Sequence, residues 1–360
     1  MSEVKFCTSC LMPSSRPRVV FTDGKCNACH WAEQRKEIDY AERKEQFLAL
    51  VKEKKRHPAY DCIVPFSGGK DSAAIALRLK DMGLNPLLVT YGQLMWTDVG
   101  QRNFNRVVDA GFDVQYWRVN QEVSRNLARR FFIERGHPKQ HYDAGVNSVP
   151  VRAAVQMGIP LIIYAEHGES EYGGLVLSED HRRQRDLAEV LENQVGDDAR
   201  NWATDGLTEA DLWPYTYPED IGDTEAVYFS WYFPWDILRN AEFCKERLGF
   251  EHAHERNRSD GSFEGFDSID DKIDDLDYYM MYIKFGFGRA TRMASRLIQR
   301  GHMTRKEGLK LVKEYDGEYP AAYMKDVCEY LDMSEYELLD IVEKHKNPEI
   351  WGPDGLLWTP

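Results

Sequence analysis

Two short stretches of this 360-residue chain carry residue types that do chemistry when they are brought together. The first is Ser67-Gly68-Gly69-Lys70-Asp71-Ser72. It follows a short apolar run, Tyr60 to Phe66, and precedes a strongly helix-forming one, Ala73 to Met82, so it should turn a buried strand into a helix. Two glycines there let the backbone take positive φ and come close to a ligand. The new helix presents unpaired N–H groups and the positive end of its dipole to an anion. Ser67 and Ser72 add hydroxyl donors, Lys70 a mobile positive charge, and Asp71 a carboxylate for a magnesium ion riding on phosphates. An ordinary Ser/Gly turn with a capping side chain is the plain alternative, and the full hexapeptide at a strand-to-helix corner favours the phosphate cradle. The pattern is neither G-x-x-x-x-G-K-[ST] nor G-x-G-x-x-G.

The second stretch is Cys7-x-x-Cys10 with Cys26-x-x-Cys29, separated by residues 11–25. Paired knuckles at this spacing close a tetrahedral four-thiolate site, and Asp23-Gly24 supplies the tight turn of a small ribbon. A rubredoxin-like iron site or two disulfides would use the same spacing; structural Zn²⁺ is the expectation, because disulfides are rare inside the cell. His30 could compete as a ligand, but four cysteines complete the shell. The isolated Cys62, Cys244 and Cys328 read as packed residues.

The elements that must position these groups follow from periodicity. From residue 60 strand and helix patterns alternate: strands at 61–66, 86–91, 113–119 and 160–164, a fifth at 226–232, and helices at 72–82, 99–110, 123–134 and 149–157. That alternation predicts an α/β fold, a parallel sheet of about five strands with flanking helices, with ligands beyond the carboxyl ends of the strands. Glu166, His167 and Glu169 follow the fourth strand directly, where they could position magnesium, an amide or incoming ammonia; a polar loop with one capping carboxylate fits them equally. The expected organisation is a zinc ribbon over 1–35, a helical linker over 36–59 and a nucleotide-binding core over 60–240. An aromatic-rich insertion near 180–223 interrupts that core, and a mainly helical, substrate-binding region is expected over 241–360. Residues 32–55 read as one charged helix, and Thr304-x-x-Glu307 and Ser334-x-x-Glu337 as capping boxes. Lys284 and Arg289, among aromatics and beside Gly286 and Gly288, suit an anionic ligand, although solvated residues on a packed helix explain their spacing as well.

A net charge of −14 argues against a nucleic-acid surface. Arg125, Arg129, Arg130 and Arg135 form a local exception that a solvated helix face explains. The chain has no apolar run of the roughly 20 residues a membrane span needs and no signal-peptide pattern at its start, so a cytoplasmic protein is expected.

SGGKDS resembles the pyrophosphate loop of the N-type ATP pyrophosphatases, an adenine nucleotide alpha hydrolase-like superfamily that includes asparagine and GMP synthetases and the tRNA thiolases. The resemblance implies ATP cleavage between the α and β phosphates, with the loop residues 67–72 holding pyrophosphate and the base near Thr90 and Tyr91. Further motifs narrow it. Cys7-x-x-Cys10-Leu-Met-Pro with Arg16-Pro17, Asp23-Gly-Lys-Cys-Asn-Ala-Cys29, Glu171-Tyr-Gly-Gly174 and Lys284-Phe-Gly-Phe-Gly-Arg-Ala-Thr291 resemble the N-acetyl sugar amidotransferases of the WbpG/PseA type. That family is implicated in surface-polysaccharide and flagellar-glycan synthesis, and the resemblance implies conversion of a sugar acetamido group to an acetamidino group with ATP and ammonia. Lys70, Asp71 and Glu166 would then be catalytic, and Glu169, Lys284 and Arg289 would hold the sugar. The chain shows neither of two common glutaminase arrangements. The resemblance therefore implies ammonia from a separate HisH-like glutaminase, with or without a HisF-like channel protein. A tRNA thiolase is the main competitor, and a zinc-dependent binding protein without catalysis the second. The lack of cysteines between Cys62 and Cys244 disfavours the thiolase.

Overall fold

Cys62-Ile63-Val64 is apolar, two-thirds β-branched and wholly buried, the signature of a central parallel strand covered on both faces. In the computed structural model this stretch, β3 (Cys62–Pro65), sits mid-sheet between β4 (Pro86–Tyr91) and β6 (Leu161–Tyr164). β5 (Val114–Trp117) and β7 (Glu225–Tyr228) form the edges, giving the order β5-β4-β3-β6-β7 with every pairing parallel. The expected five-strand α/β fold is observed. The chain winds one way from β3 to β5 and the other way from β6 to β7, so a crevice opens beyond the carboxyl ends of β3 and β6. The structure describes residues 4–176, 178–204, 206–253, 257–352 and 355–356. Residues 1–3, assigned above to the ribbon, and 353–354 and 357–360, assigned to the helical region, lie outside them.

At the N-terminus β1 (Phe21–Thr22) pairs antiparallel with β2 (Lys25–Cys26). Asp23 and Gly24 join them with φ of 50° and 77°, the double positive φ of the tight hairpin turn expected there. Helix α1 (Asn27–Gln34) leaves the ribbon. The single helix expected over 32–55 is instead broken. A 3₁₀ turn at Arg35–Glu37 follows α1, and the Asp39 side chain accepts from the Ala41 and Glu42 amides to start α2 (Tyr40–Lys54) afresh.

Helices α3 (Lys70–Asp81), α4 (Asp98–Asp109), α5 (Gln121–Arg135) and α6 (Gln140–Met157) make the crossovers between strands. Two boundaries differ from expectation. Helix α6 starts nine residues earlier than residue 149 and carries Pro150 in its interior; packing of its apolar residues against the sheet overrides the proline. The last strand ends at Tyr228, where Phe229–Tyr232 turns into a short helix, although the run is aromatic throughout. Helices at Asp274–Phe285, Arg289–Gln299, Arg305–Tyr315, Met324–Leu331 and Glu335–Lys344 make the C-terminal region, and both predicted capping boxes form. Among the described residues no helix is long and apolar enough to cross a membrane.

Candidate functional site

Helix α3 begins at the end of β3 with Gly69 as its N-cap and no side chain capping it, which leaves its first amides free for an anion. Only one of the two loop glycines uses the left-handed region. Gly68 has φ 97°, and a Cβ there would lie 3.3 Å from Phe104; Gly69 is extended at φ −79°. The helix end opens on a cavity of about 370 Å³ at the β3/β6 crevice. Ser67, Gly69, Lys70, Asp71 and Ser72 line one side of it. Val89, Tyr91, Val146, Pro150 and Tyr164 give it a largely apolar wall. The Tyr91 ring reaches that wall because helix α6 has Gly145 at the crossing, where a Cβ would lie 2.4 Å from the ring. Thr90 alternates to the other face of β4 and is fully buried away from the cavity.

The opposite wall comes from the C-terminal region. Segment 267–271 is stitched to the loop after β4: Asp271 accepts from the amides of Leu94 (2.8 Å) and Met95 (3.1 Å), and Thr97 N donates to Asp270 O (3.1 Å). Gln93 joins the walls by donating to Ser67 O (2.8 Å) and to Asp270 (2.5 Å). Lys70 Nζ lies 2.8 Å from Asp71 Oδ2 and 2.5 Å from Asp267 Oδ1, and Arg292 holds the other Asp267 oxygen at 2.8 Å. Burial alone would lower the Lys70 pKa, but Asp267 and Asp71 outweigh it and keep the ammonium charged. Burial would likewise raise Asp267, and the cations Lys70, Arg292 and Arg296 outweigh it and hold the carboxylate ionised.

Glu166 lines the same cavity, 3.1 Å from Arg296. Burial pushes its carboxyl up to about 7, against the opposing pull of Arg296 and with help from Asp71 and Glu171. A carboxyl with that pKa can accept or give a proton near neutrality.

The four cysteines converge as the spacing predicts. Their sulfurs all lie within 4.8 Å of one another, with Cys7–Cys29 and Cys10–Cys26 at 3.6 Å, too long for disulfide bonds. Sulfurs at 2.3 Å from a tetrahedral zinc stand about 3.8 Å apart, so the cluster fits the ion. Backbone amides of Cys10 and Cys26 point at Cys7 Sγ (3.4 and 3.3 Å), as suits a thiolate.

This ribbon is a buttress of the cavity. Val20 N donates to Gly173 O (2.9 Å), Asn27 Nδ2 to Gly174 O (3.1 Å) and Leu11 N to Ser295 Oγ (3.3 Å). Arg35, from the 3₁₀ turn after α1, and Arg300 grip the two oxygens of buried Glu171 in α7 (Gly168–Tyr172). The next residue, Tyr172, takes hydrogen bonds on its hydroxyl from Arg292 and Arg296. Glu171-Tyr-Gly-Gly174 thus relays the ribbon to the cavity arginines. A Cβ on Gly174 would fall 1.3 Å from Glu169 Oε2. Gly174→Ala is expected to cost about 1–3 kcal/mol through this overlap. Chemical denaturation checks the figure; a loss below the measurement error would mean that the Glu169 carboxylate swings aside without cost.

Of the residues expected at the site, the cavity gathers Ser67, Gly69, Lys70, Asp71, Ser72, Tyr91 and Glu166. Glu169 sits outside it, paired with Arg16 (3.6 Å) and Arg18 (3.3 Å) of the ribbon. Arg289, expected to hold an anionic sugar, is enclosed instead. It pairs with Asp275 at 2.6 Å and donates to the Asp267 and Ser268 carbonyls, which shapes the wall segment from behind. Lys284 lies away from this cavity and donates to Arg135 O (2.8 Å). Cys244 Sγ reaches the Lys70 carbonyl (3.2 Å), yet it is buried and lines none of the cavity. Asp267, Arg292, Arg296 and Gln93 were not singled out from the sequence. The helical spacing Arg289-x-x-Arg292-x-x-x-Arg296-x-x-x-Arg300 was the available signal for a basic stripe facing one partner.

Residues 260–359 match the family model described as "LPS biosynthesis protein WbpG-like, C-terminal domain". The motif resemblance to WbpG-type proteins is borne out over that segment, which contributes the Asp267, Arg292 and Arg296 wall. No curated protein matches the chain. Among solved structures, the crystal structure of a predicted subunit of tRNA methyltransferase from Methanocaldococcus jannaschii is similar at 18% identity and a TM-score of 0.23. That likeness covers 36% of this chain and 61% of the other, and at this TM-score it carries no argument.

Proposed function

We propose, for a chain whose residues 260–359 form a WbpG-like C-terminal domain, an ATP-dependent amidotransferase that converts the acetamido group of an N-acetyl sugar to an acetamidino group. The observation that carries this reading is the cavity itself. An uncapped helix N-terminus with Lys70 and Asp71 forms one wall, and Asp267, Arg292 and Arg296 of the WbpG-like segment form the other.

In this reading the free amides of α3 and Lys70 take the β and γ phosphates, and the apolar wall around Tyr91 takes the base. Asp71 and Asp267 would hold Mg²⁺, whose role is to neutralise phosphate charge. Their all-oxygen donor set suits it, and each carboxylate oxygen keeps a second lone pair beyond its contact with Lys70, Asn240 or Arg292. The acetamido oxygen attacks the α phosphorus, and the bond from that phosphorus to the bridging oxygen breaks. Pyrophosphate leaves with the electron pair into the field of Lys70 and the helix end. Ammonia then attacks the activated carbon, AMP departs with the carbon–oxygen electron pair, and Glu166 receives the surplus proton. Ammonia is supplied in trans by a HisH-like glutaminase, with or without a HisF-like channel subunit. The ribbon binds structural Zn²⁺, and the pathway is surface-polysaccharide or flagellar-glycan synthesis in the cytoplasm.

Product analysis tests the reading. With ATP, ammonium and N-acetyl sugars the protein should form AMP and pyrophosphate only when sugar is present; formation of ADP and phosphate, or no cleavage with any sugar, would count against it. Glu166 makes a further prediction. Because its carboxyl is raised to about 7, turnover at saturating free ammonia should rise through an inflection near pH 7 as the base form appears. Glu166→Gln should lower turnover by about 10²-fold or more and remove that inflection. An unchanged pH profile would make Glu166 a structural partner of Arg296.

A further inference from the structure

A second cavity, of about 480 Å³, opens beside the first, and Gln194 lines both. Its walls come from four distant parts of the chain: Pro17 and Arg18 of the ribbon, Arg135 at the end of α5, the turn around Gln194, and Lys284-Phe285. Several of these belong to motifs that the first cavity leaves unused. Arg18 holds φ 58°, a conformation uncommon for a side-chain-bearing residue, and the Val20 bond to Gly173 secures the stretch that follows. The Gln194 amide oxygen accepts from Asn147 of the first cavity (3.2 Å). Gln194 lies in a single π-helical turn, Leu191–Val195, a form that recurs at functional sites.

The charge lining the second cavity is specific. Arg18, Arg135, Lys284 and His137 face it against Glu192 and Asp277. His137 lies between Asp143 (3.1 Å) and Asp277 (2.9 Å), and burial, which opposes the charge, is outweighed by these carboxylates, so it counts as a cation. The Lys284 ammonium spends one proton on Arg135 O, which leaves two donors for a ligand. Arg18 is already paired with Glu169 (3.3 Å) and Arg135 with Asp197 (3.4 Å), so an anion entering here shares these guanidiniums with carboxylates and meets in Lys284 an ammonium with donors to spare. Phe285, Pro17 and Met281 add apolar surface for the uncharged part of a ligand.

We propose that this second cavity binds the acidic group of the acetamido sugar, a carrier phosphate or a carboxylate of the sugar itself, with the acetamido end directed past Gln194 toward Lys70. The identification of the ligand as a sugar substrate rests on the function proposed above; the anion site does not.

Calorimetry on the full chain tests it with UDP and N-acetylneuraminate as probes and α,β-methylene-ATP as the marker of the first cavity. At least one probe should bind, and Lys284→Met and Arg135→Gln should each weaken it by about tenfold or more while leaving α,β-methylene-ATP unchanged. Lys70→Ala should do the converse. UDP binding alone identifies a carrier phosphate, and N-acetylneuraminate binding alone identifies a sugar carboxylate. Arg135, whose side chain is 36% exposed, provides a variant that folds if Lys284→Met does not, and thermal melts check both. Failure of both probes to bind, or binding undiminished in the folded variants, overturns the proposal. Probe binding without any α,β-methylene-ATP binding would instead overturn the reading of the first cavity and leave this one standing.

Discussion

Lys70→Ala is expected to lower sugar-dependent pyrophosphate release by about 10²–10³-fold, the scale seen when one preorganised donor to a developing charge is removed. The structure explains why the effect should fall on catalysis more than on folding. Lys70 is 4% exposed and bridges Asp71 and Asp267, so its loss removes the charge nearest the free helix end. Breaking a buried pair by deleting one partner usually costs about 3–5 kcal/mol. Here Arg292 still holds Asp267 at 2.8 Å and Asn240 still donates to Asp71 at 2.8 Å, so neither carboxylate is left bare. The variant should therefore keep a cooperative melt. A coupled pyrophosphate assay read beside the melt decides the matter, and near-normal release would remove the loop from the mechanism.

The second large effect is expected from Cys26→Ser. Intact protein should carry one zinc per chain by elemental analysis, and the variant should lose it. The consequence should reach well beyond the ribbon. Cys26 Sγ would lie 3.4 Å from a Cβ placed on Gly173, and the 3₁₀ turn that follows α1 supplies the Arg35 partner of Glu171. Burial would raise Glu171, but Arg300 and Arg35 outweigh it and hold the carboxyl at about 2. Releasing the ribbon frees Glu171 and Tyr172, and with them the hydroxyl that Arg292 and Arg296 share. Hydrogen exchange should accelerate in residues 168–174 as well as in 5–34, with activity falling in step. Full activity in zinc-free protein would confine the metal to a local role, and intact protein without zinc would overturn the assignment of the cluster.

Much of the site was legible because its signals are local. A strand, two glycines and a helix start are contiguous, and four thiols need only spacing, so SGGKDS and the Cys cluster appear where expected. The parallel sheet of about five strands followed from alternation, whereas its order β5-β4-β3-β6-β7 is seen only in the structure. What escaped depends on contacts far apart in sequence. Asp267 meets Lys70 across 197 positions and Gln93 meets Asp270 across 177. No periodicity marks such partners in advance. Arg289 misled for a physical reason: an arginine that binds carbonyls and Asp275 from within has the same flanking glycines as one that faces a ligand. Thr90 misled through strand alternation, since the turn-side neighbour Tyr91 takes the cavity face. Helix α6 begins nine residues before the expected 149 and runs through Pro150, whose missing N–H the packing of the helix tolerates.

Under the proposed function, the charges around the first cavity would receive the phosphates of ATP. Lys70, Arg292 and Arg296 are held ionised within a low-dielectric wall, and in that proposal their carboxylate partners would hold the metal. The match of residues 260–359 to a WbpG-like domain accounts for the half of this wall that the loop motif alone could not supply.

The central claim, adenylation of the acetamido oxygen, is tested most directly by isotope transfer. An acceptor sugar labelled with ¹⁸O in its acetamido group is incubated with ATP and ¹⁵N-ammonium, and AMP and sugar are examined by mass spectrometry. The account predicts ¹⁸O in the phosphate of AMP and ¹⁵N in an acetamidino sugar, in equal amounts. AMP without ¹⁸O, or label retained in the sugar while ATP is consumed, would contradict it.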